Sequence, residues 1–151
     1  MIIPIETTGQ YSGVVISCTR GEILVLVPDE AVDTADSIEV SFSGGTILPG
    51  TVKQKDSVAD MALVSVNAAE LEDRQYERIK ELPLGNSYGV RQGDLVVAIG
   101  SPAGVTGSSG YGAISYVVRS TKAVDGSTRI FIRIQRQIPR REPSLLIRME
   151  N

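Results

Sequence analysis

The serine residues of this chain could act as nucleophiles, but the sequence contains no histidine to activate them. At neutral pH a serine nucleophile needs a neighbouring base, and imidazole is the usual one. Ser108, Ser109 and Tyr111 lie in a Gly- and Ser-rich segment at 104–112. Lys122 is the nearest lysine, and it lies beyond a predicted strand. The spacing therefore argues against a Ser–Lys dyad.

The composition argues against metal, cofactor and single-stranded nucleic-acid sites. One cysteine, Cys18, and no histidine leave no usual zinc ligand set, and Cys18 is expected to be a small buried or half-buried hydrophobic side chain and not a nucleophile. Segment 104–112 lacks the lysine, the spacing and the following helix of a phosphate-binding loop. Five tyrosines, two phenylalanines and no tryptophan provide few stacking platforms for bases. We expect no cofactor and no metal.

The charge is unevenly distributed along the chain. Residues 1–118 contain 7 basic and 15 acidic residues, a net charge of −8, whereas residues 119–151 contain 8 and 3, a net charge of +5. The arginines of the second part alternate with Ile and Phe, which favours an arginine-rich strand over an arm that binds nucleic acid. The longest apolar runs are too short to cross a membrane, and the first residues do not resemble a signal peptide.

The elements that must position any site are mostly strands. Short apolar or alternating runs recur between turn signals, which favours an all-β barrel or sandwich. The predicted strands are 13–17, 22–27, 37–42, 46–54, 61–66, 94–100, 111–119 and 128–135. Segment 104–112 is predicted to be a loop. Segment 68–82 is rich in helix formers, with Asn67 as N-cap and Pro83 as a stop, and is predicted to be a linker helix.

The order of these segments resembles the HtrA/Deg branch of the trypsin-like serine proteases. Residues 82–104 (LPLGNSYGVRQGDLVVAIGSPAG) carry the most specific match, and 11–17, 32–40, 60–64 and 112–115 match in the same order. The resemblance implies a chymotrypsin-type double β-barrel in one trypsin-like domain. Its parts would be a first barrel at 1–67, a linker helix at 68–83 and a truncated second barrel at 84–151.

The resemblance also implies where the catalytic residues would fall. Asp60 matches the triad aspartate, Ser144 takes the serine position, and Glu30 stands where the family has histidine. A glutamate, with an ordinary pKa near 4, is a poor general base toward a serine hydroxyl. Two facing carboxylates repel, so one is expected to have a raised pKa unless both turn into water. A cation between them is an alternative to a solvated acidic pair.

The region around Ser144 departs from the family pattern. Segment 136–146 (RQIPRREPSLL) lacks the glycines whose backbone amides would form an oxyanion hole, and Pro143 fixes its φ. The chain also stops at Asn151, before the strands that close the second barrel in the family. We therefore expect a fragment, a degenerate or frame-altered end, or a sheet edge covered by another chain, which would give a homo-oligomer.

These observations predict a catalytically inactive trypsin-like domain that acts as a peptide- or protein-binding or regulatory module. An extended peptide would pair with an exposed barrel edge through main-chain hydrogen bonds. Nucleic acid and direct membrane insertion are not expected, and the resemblance implies an extracytoplasmic domain of a longer chain. Two alternatives remain open: an active serine endopeptidase whose C-terminal loop is misrepresented in this sequence, and a structural domain of a larger membrane-anchored protein.

Overall fold

The computed structural model describes residues 2–6, 10–33, 35–100, 108–122, 126 and 128–136, and strands predominate among them. The all-β prediction is confirmed: every predicted strand is present, and β1 is an additional one. The strands are β1 Ile2–Glu6, β2 Gln10–Cys18, β3 Glu22–Pro28, β4 Ile38–Phe42, β5 Thr46–Asp56, β6 Met61–Asn67, β7 Leu95–Gly100, β8 Ser108–Lys122 and β9 Thr128–Arg136. Two single-turn helices, α1 Glu30–Asp33 and α2 Asp73–Tyr76, lie between them.

The first six strands form a closed antiparallel barrel in the order β1-β2-β3-β6-β5-β4. Pairing of β1 with β4, with Ile5 opposite Val40, closes the ring. Strands β3 and β6 alternate half-buried and buried residues along their whole length, apart from the exposed last residue of β6. Since side chains on a strand point alternately to its two faces, this alternation gives the barrel one apolar interior.

The barrel interior is packed largely with β-branched side chains. The six largest fully buried side chains are all valine or isoleucine: Ile23, Val15, Val25, Val40, Val64 and Val66. Such side chains have few χ1 rotamers and pack well on a pleated surface. Burying each one contributes about 1.5–3 kcal/mol relative to exposure, so this set contributes substantially to the barrel's stability.

The predicted helix over 68–82 is present only as two separate turns. A 3₁₀ turn at Ala68–Glu70 is capped by the Asn67 side chain, as predicted, and α2 follows after a short gap. Beyond α2 the segment leaves the helical conformation, and the Leu82 N–H donates to the Val15 carbonyl at 2.8 Å. Ile79 is buried against the barrel at 4% exposure. These barrel contacts override helix propensity, which is weak in so short a segment.

The chain divides into two compact units. Unit 1 comprises Met1–Leu84 with Gly100–Ser108, and unit 2 comprises Gly85–Ile99 with Ser109–Asn151. Unit 1 contains the closed barrel. Unit 2 contains the sheet β7-β8-β9, which is the part of the predicted second barrel that the described residues include.

The Gly- and Ser-rich segment predicted to be a loop is in part a strand. Strand β8 begins at Ser108, and the described residues 108–112 of that segment belong to it, while 104–107 lie outside the described residues. Gly112 of β8 pairs with Arg136 of β9, and Ile114 pairs with Ile134. The ladder hydrogen bonds of these pairs outweigh the local preference of glycine and serine for turns.

Unit 2 is held together around β8 by backbone and arginine hydrogen bonds. The Arg119 guanidinium donates to the carbonyls of Tyr88 and Val90 at 2.9 and 2.7 Å. The Gly93 N–H donates to the Ile114 carbonyl, and the Ile114 N–H donates to the Asp94 carbonyl, each at 2.9 Å. These hydrogen bonds fix the segment 88–94 against β8. The regular strand β7 continues directly from that segment.

Gly50 provides a test of how tightly the barrel is packed. A Cβ atom at this position would lie 2.6 Å from Cγ1 of Val64 and 3.2 Å from methyl groups of Ile38 and Val40. Gly50→Ala is therefore expected to lower the free energy of unfolding by about 1–3 kcal/mol. Gly21→Ala, whose new Cβ meets no atom within 4 Å, is the control and is expected to change it by less than about 0.5 kcal/mol. Urea unfolding followed by circular dichroism measures both, and equal effects would contradict the packing argument.

Candidate active site

Glu30 lies in α1, the single helical turn that follows β3. Its side chain is exposed, whereas the next residue, Ala31, is 1% exposed and belongs to the hydrophobic core. Strand β3 ends with Pro28 opposite Met61, so the chain leaves β3 beside the start of β6. This register places Glu30 close to the turn that contains Asp60.

Asp60 is the last residue of the turn that joins β5 to β6. The Asp56 carboxylate accepts hydrogen bonds from the N–H groups of Val58 and Ala59, both at 3.0 Å, and so shapes the turn. Ala59 is 3% exposed and anchors it to the barrel. Asp60 itself is exposed and has φ of 55°, a left-handed conformation that aspartate tolerates better than most residues.

The structure brings the segments of Glu30 and Asp60 together through the backbone. The Asp29 N–H donates to the Asp60 carbonyl at 3.2 Å. Nearby, the Lys55 ammonium forms an ion pair with Asp33 of α1. Because both candidate side chains are exposed, water solvates their charges. Within the described ranges, no group of three or more His, Cys, Asp or Glu residues has the arrangement to hold a metal ion.

The predicted serine position is not part of the described structure. Ser144 lies within 137–151, all of which is outside the described residues. The structure therefore brings together the segments that carry two of the three predicted site residues, Glu30 and Asp60, through the backbone hydrogen bond from Asp29 to Asp60. The serines considered separately, Ser108 and Ser109, lie on β8, and Ser108 is half-buried while Ser109 is exposed.

Cys18 lies where segment 76–82 docks on the barrel. It is half-buried, and its thiol lies 3.9 Å from the Ile79 carbonyl, to which it donates. The Tyr76 hydroxyl donates to the Cys18 carbonyl at 3.3 Å, and the Glu81 carboxylate accepts from the Cys18 N–H at 3.3 Å. The Arg20 guanidinium lies 5.4 Å from the centre of the Tyr76 ring. Each of these contacts holds the segment in place, which is a structural role.

A polar network on the outside of the barrel was not predicted from the sequence. The Glu22 carboxylate accepts from the Lys53 ammonium at 2.6 and 2.8 Å and from the Ser65 hydroxyl at 2.6 Å. The hydrogen bond from Lys53, followed by that from Ser65, lowers the pKa of Glu22. A carboxylate with a lowered pKa is a weak base and does not activate Ser65. The network joins three strands and stabilises the barrel surface.

This network could be predicted only from the order of the strands in the barrel. Glu22, Lys53 and Ser65 are far apart in the sequence and belong to β3, β5 and β6, which are neighbours only because β6 lies between β3 and β5. The sequence does show polar residues on the outer faces of its alternating strands. Without the strand register, it does not show which of these residues contact one another.

The chain matches known proteins over most of its length. Residues 11–139 match the family model of the trypsin-like peptidase domain. A probable periplasmic serine protease, do/HhoA-like, from Haemophilus influenzae is 30% identical over 132 residues, which are 87% of this chain and 26% of that protein. The periplasmic serine endoprotease DegP of Salmonella typhimurium is 31% identical over 109 residues, 72% of this chain and 21% of DegP.

Solved structures of one protease resemble the fold. The HtrA-type protease AlgW with a decapeptide has a TM-score of 0.62 and 26% identity, and the match covers 82% of this chain and 35% of AlgW. AlgW with a tripeptide has a TM-score of 0.66 and 25% identity, covering 86% of this chain and 41% of the other. This chain spans about a quarter of the length of the curated relatives it matches.

The lowered pKa of Glu22 gives a prediction for stability against pH. Because the folded protein binds this proton at lower pH than the unfolded chain, the network stabilises the fold fully above the ordinary value near 4.5. That stabilisation is lost as the pH falls through the lowered folded pKa. The difference in urea midpoint between the unmodified chain and Glu22→Gln is therefore expected to be positive at pH 7, and to shrink toward zero as the pH falls below 4.5 and through the lowered folded pKa.

Glu39→Gln is the control for this measurement. Glu39 is an exposed glutamate on β4, outside the network of Glu22, and its replacement reports the effect of losing one surface carboxylate. A pH dependence of the same size in both variants would contradict the role assigned to the network.

Proposed function

This chain belongs to the trypsin-like peptidase domain family, with serine proteases of the HtrA type as relatives, and from that premise we propose that it is a catalytically inactive member. We propose further that it acts as a peptide- or protein-binding or regulatory module. The observation that carries the first part is the absence of histidine from all 151 residues. Without imidazole, the usual means of activating a serine in this family is missing.

Glu30 is a poor substitute for the missing base. It is an exposed carboxylate in α1, and a carboxylate is a much weaker base than an imidazole. Taking a proton from a serine hydroxyl would then be strongly uphill at neutral pH. Asp60 next to it adds a second negative charge, whereas the family mechanism uses the aspartate to orient an imidazole. The pair therefore supports the proposed loss of activity.

The proposed binding role rests on the relatives and on the sheet of unit 2. The AlgW structures that resemble this chain contain bound peptides, a decapeptide in one and a tripeptide in the other. Binding of an extended peptide by main-chain hydrogen bonds needs a free strand edge and does not need a catalytic base. Among the described residues, the sheet β7-β8-β9 has two outer strands, β7 and β9. Peptide binding can thus persist after catalysis is lost.

We also propose an extracytoplasmic location as a domain of a longer chain. Both relatives described above carry the word periplasmic in their names, and this chain covers only 26% and 21% of their lengths. Among the described residues, no helix has the length and apolar character that a membrane span requires.

The main alternative is an active serine endopeptidase, because the curated relatives are named as serine proteases. It requires a base other than histidine. A structural role within a larger anchored protein is the other alternative, and it predicts neither activity nor peptide binding. Labelling with a serine-reactive probe distinguishes an active endopeptidase from the proposed inactive domain. Titration with a peptide distinguishes a purely structural role from the proposed binding role.

Labelling with a fluorophosphonate probe tests catalytic inactivity directly. The 151-residue chain is expected to show no labelling above the Ser144→Ala variant, and no cleavage of casein from pH 5 to 9, because no base activates a serine. A histidine-containing HtrA-type protease serves as the positive control. Ser144→Ala is the matched control, since both preparations carry the same host contaminants.

Two further variants make the test sharper. Glu30→Gln is expected to leave the background signal unchanged, because Glu30 performs no proton transfer in the proposal. Labelling of the unmodified chain that disappears in Ser144→Ala would contradict the proposal. Loss of that labelling in Glu30→Gln as well would identify Glu30 as the base.

A further inference from the structure

We propose that residues 71–82 form a strap that undocks from one end of the barrel as a unit while the barrel itself stays folded. The strap contains α2 and lies in the chain between the 3₁₀ turn at Ala68–Glu70 and Pro83. Two observations carry the inference: the strap is bound to the barrel from outside its sheet, and it docks through few buried groups. The inference concerns unit 1 alone and does not depend on the proposed function.

The strap connects two turns at the same end of the barrel. At the β2–β3 turn, the Arg20 guanidinium forms an ion pair with Asp73 at 2.8 Å. At the start of β5, the Thr46 hydroxyl accepts from the Gln75 side-chain amide at 2.8 Å. Both turns lie at the end of the barrel where β6 finishes. Three side chains of the strap pack against the barrel core at this end: Leu71, Tyr76 and Ile79.

The strap takes no part in the strand pairing that holds the barrel together. Strand β6 ends at Asn67 and β7 begins at Leu95, so no residue of 71–82 belongs to a strand. The Leu82 N–H donates to the carbonyl of Val15, which lies where a bulge shifts the register of β2 on β3. The one helical turn α2 is too short to be stable by itself. Undocking of the strap therefore breaks no strand pair and leaves no helix to hold the segment in place.

The docked strap buries much less than the barrel does. Among its twelve residues, all of them described, Ile79 alone is buried, three are half-buried and eight are exposed. The side chains of the Arg20–Asp73 ion pair are 79% and 78% exposed, and such exposed pairs stabilise a fold little. The barrel, by contrast, has fully buried valine or isoleucine on β2, β3, β4 and β6. Segments with few buried apolar groups open at lower free energy than the core, so the strap opens first.

Cys18 lies against the docked strap and can report its opening. The Cys18 thiol donates to the Ile79 carbonyl at 3.9 Å. The main chain of Cys18 accepts from the Tyr76 hydroxyl and donates to the Glu81 carboxylate, each at 3.3 Å. Undocking breaks all three contacts and exposes the thiol. Because the chain contains one cysteine, a thiol reagent reads this position alone.

Undocking would change the barrel end and the chain that follows it. It uncovers the part of the apolar core against which Ile79 packs. It also frees residues 71–82 as flexible chain ahead of Gly85, where unit 2 begins. The candidate site lies at the other end of the barrel, where Pro28 pairs with Met61. The strap is thus a conformational device that acts without disturbing the segments of the candidate site.

The rate at which the thiol reagent DTNB modifies Cys18 in the 151-residue chain tests the inference. The rate is measured without urea and at urea concentrations below the unfolding midpoint that circular dichroism gives. An opening confined to the strap exposes little surface, so the rate is expected to rise only weakly with urea before the unfolding transition. Ile79→Ala is expected to raise the rate without urea by about tenfold or more, because it removes the buried anchor of the strap.

Ile38→Ala is the matched control. Ile38 is also a buried isoleucine, at 7% exposure against 4% for Ile79, but it begins β4, away from the turn beside the strap. Its replacement is expected to lower the urea midpoint while changing the rate without urea by less than about twofold.

Tyr76→Phe is a milder variant that keeps the test decisive if Ile79→Ala does not fold. It retains the packed ring and removes the hydroxyl that donates to the Cys18 carbonyl. The loss of one hydrogen bond is expected to raise the rate of modification about fivefold.

Two results would overturn the inference. Equal acceleration in Ile79→Ala and Ile38→Ala, or modification confined to the urea transition, would show that the thiol reacts only when the whole barrel unfolds. A rate equal to that of the unfolded chain, and unchanged in Ile79→Ala and Tyr76→Phe, would show that the strap does not control access to the thiol. Neither result bears on catalysis or peptide binding, which separate experiments test.

Discussion

The closure of the six-stranded barrel by the pairing of β1 with β4 is the constraint on which the rest of unit 1 depends. Valine and isoleucine side chains are fully buried only because the ring has no open edge, and Gly50 permits the close approach of Val64 that this packing requires. The register that closes the ring also sets Pro28 opposite Met61. The position of the candidate site therefore follows from the packing of the core.

The geometry of the candidate site is set by the scaffold and not by the side chains at the site. The hydrogen bond between Asp29 and Asp60 and the short helix α1 arise from barrel packing and turn formation, and neither depends on an imidazole. An exposed position such as Glu30 therefore accepts different side chains at little cost to the fold. This explains why the chain can retain collinear family segments although it has no histidine.

The strands were predictable from the sequence because their alternation of apolar and polar residues is produced by burial itself. The helix at 68–82 was predicted wrongly in its extent, since Ile79 and Leu82 are held by the barrel and such contacts cannot be read from local propensity. The first residues of β8, 108–110, were missed because glycine and serine locally favour turns and the sheet to which they belong is formed by distant segments. The proximity of Glu30 and Asp60 was predictable only through the family resemblance, and the network of Glu22 needed the strand order.

The two units meet the problem of free strand edges in opposite ways. Unit 1 removes its edges by closing, and it carries the negative charge, while the described sheet of unit 2 keeps an outer strand with apolar residues exposed on one face. A closed ring satisfies its main-chain groups internally and has none left for a partner strand. The proposed peptide binding by strand addition would therefore use the sheet of unit 2. Since such recognition uses main-chain groups and apolar side chains, it places no demand on the residue at position 30, and binding and catalysis can be lost independently.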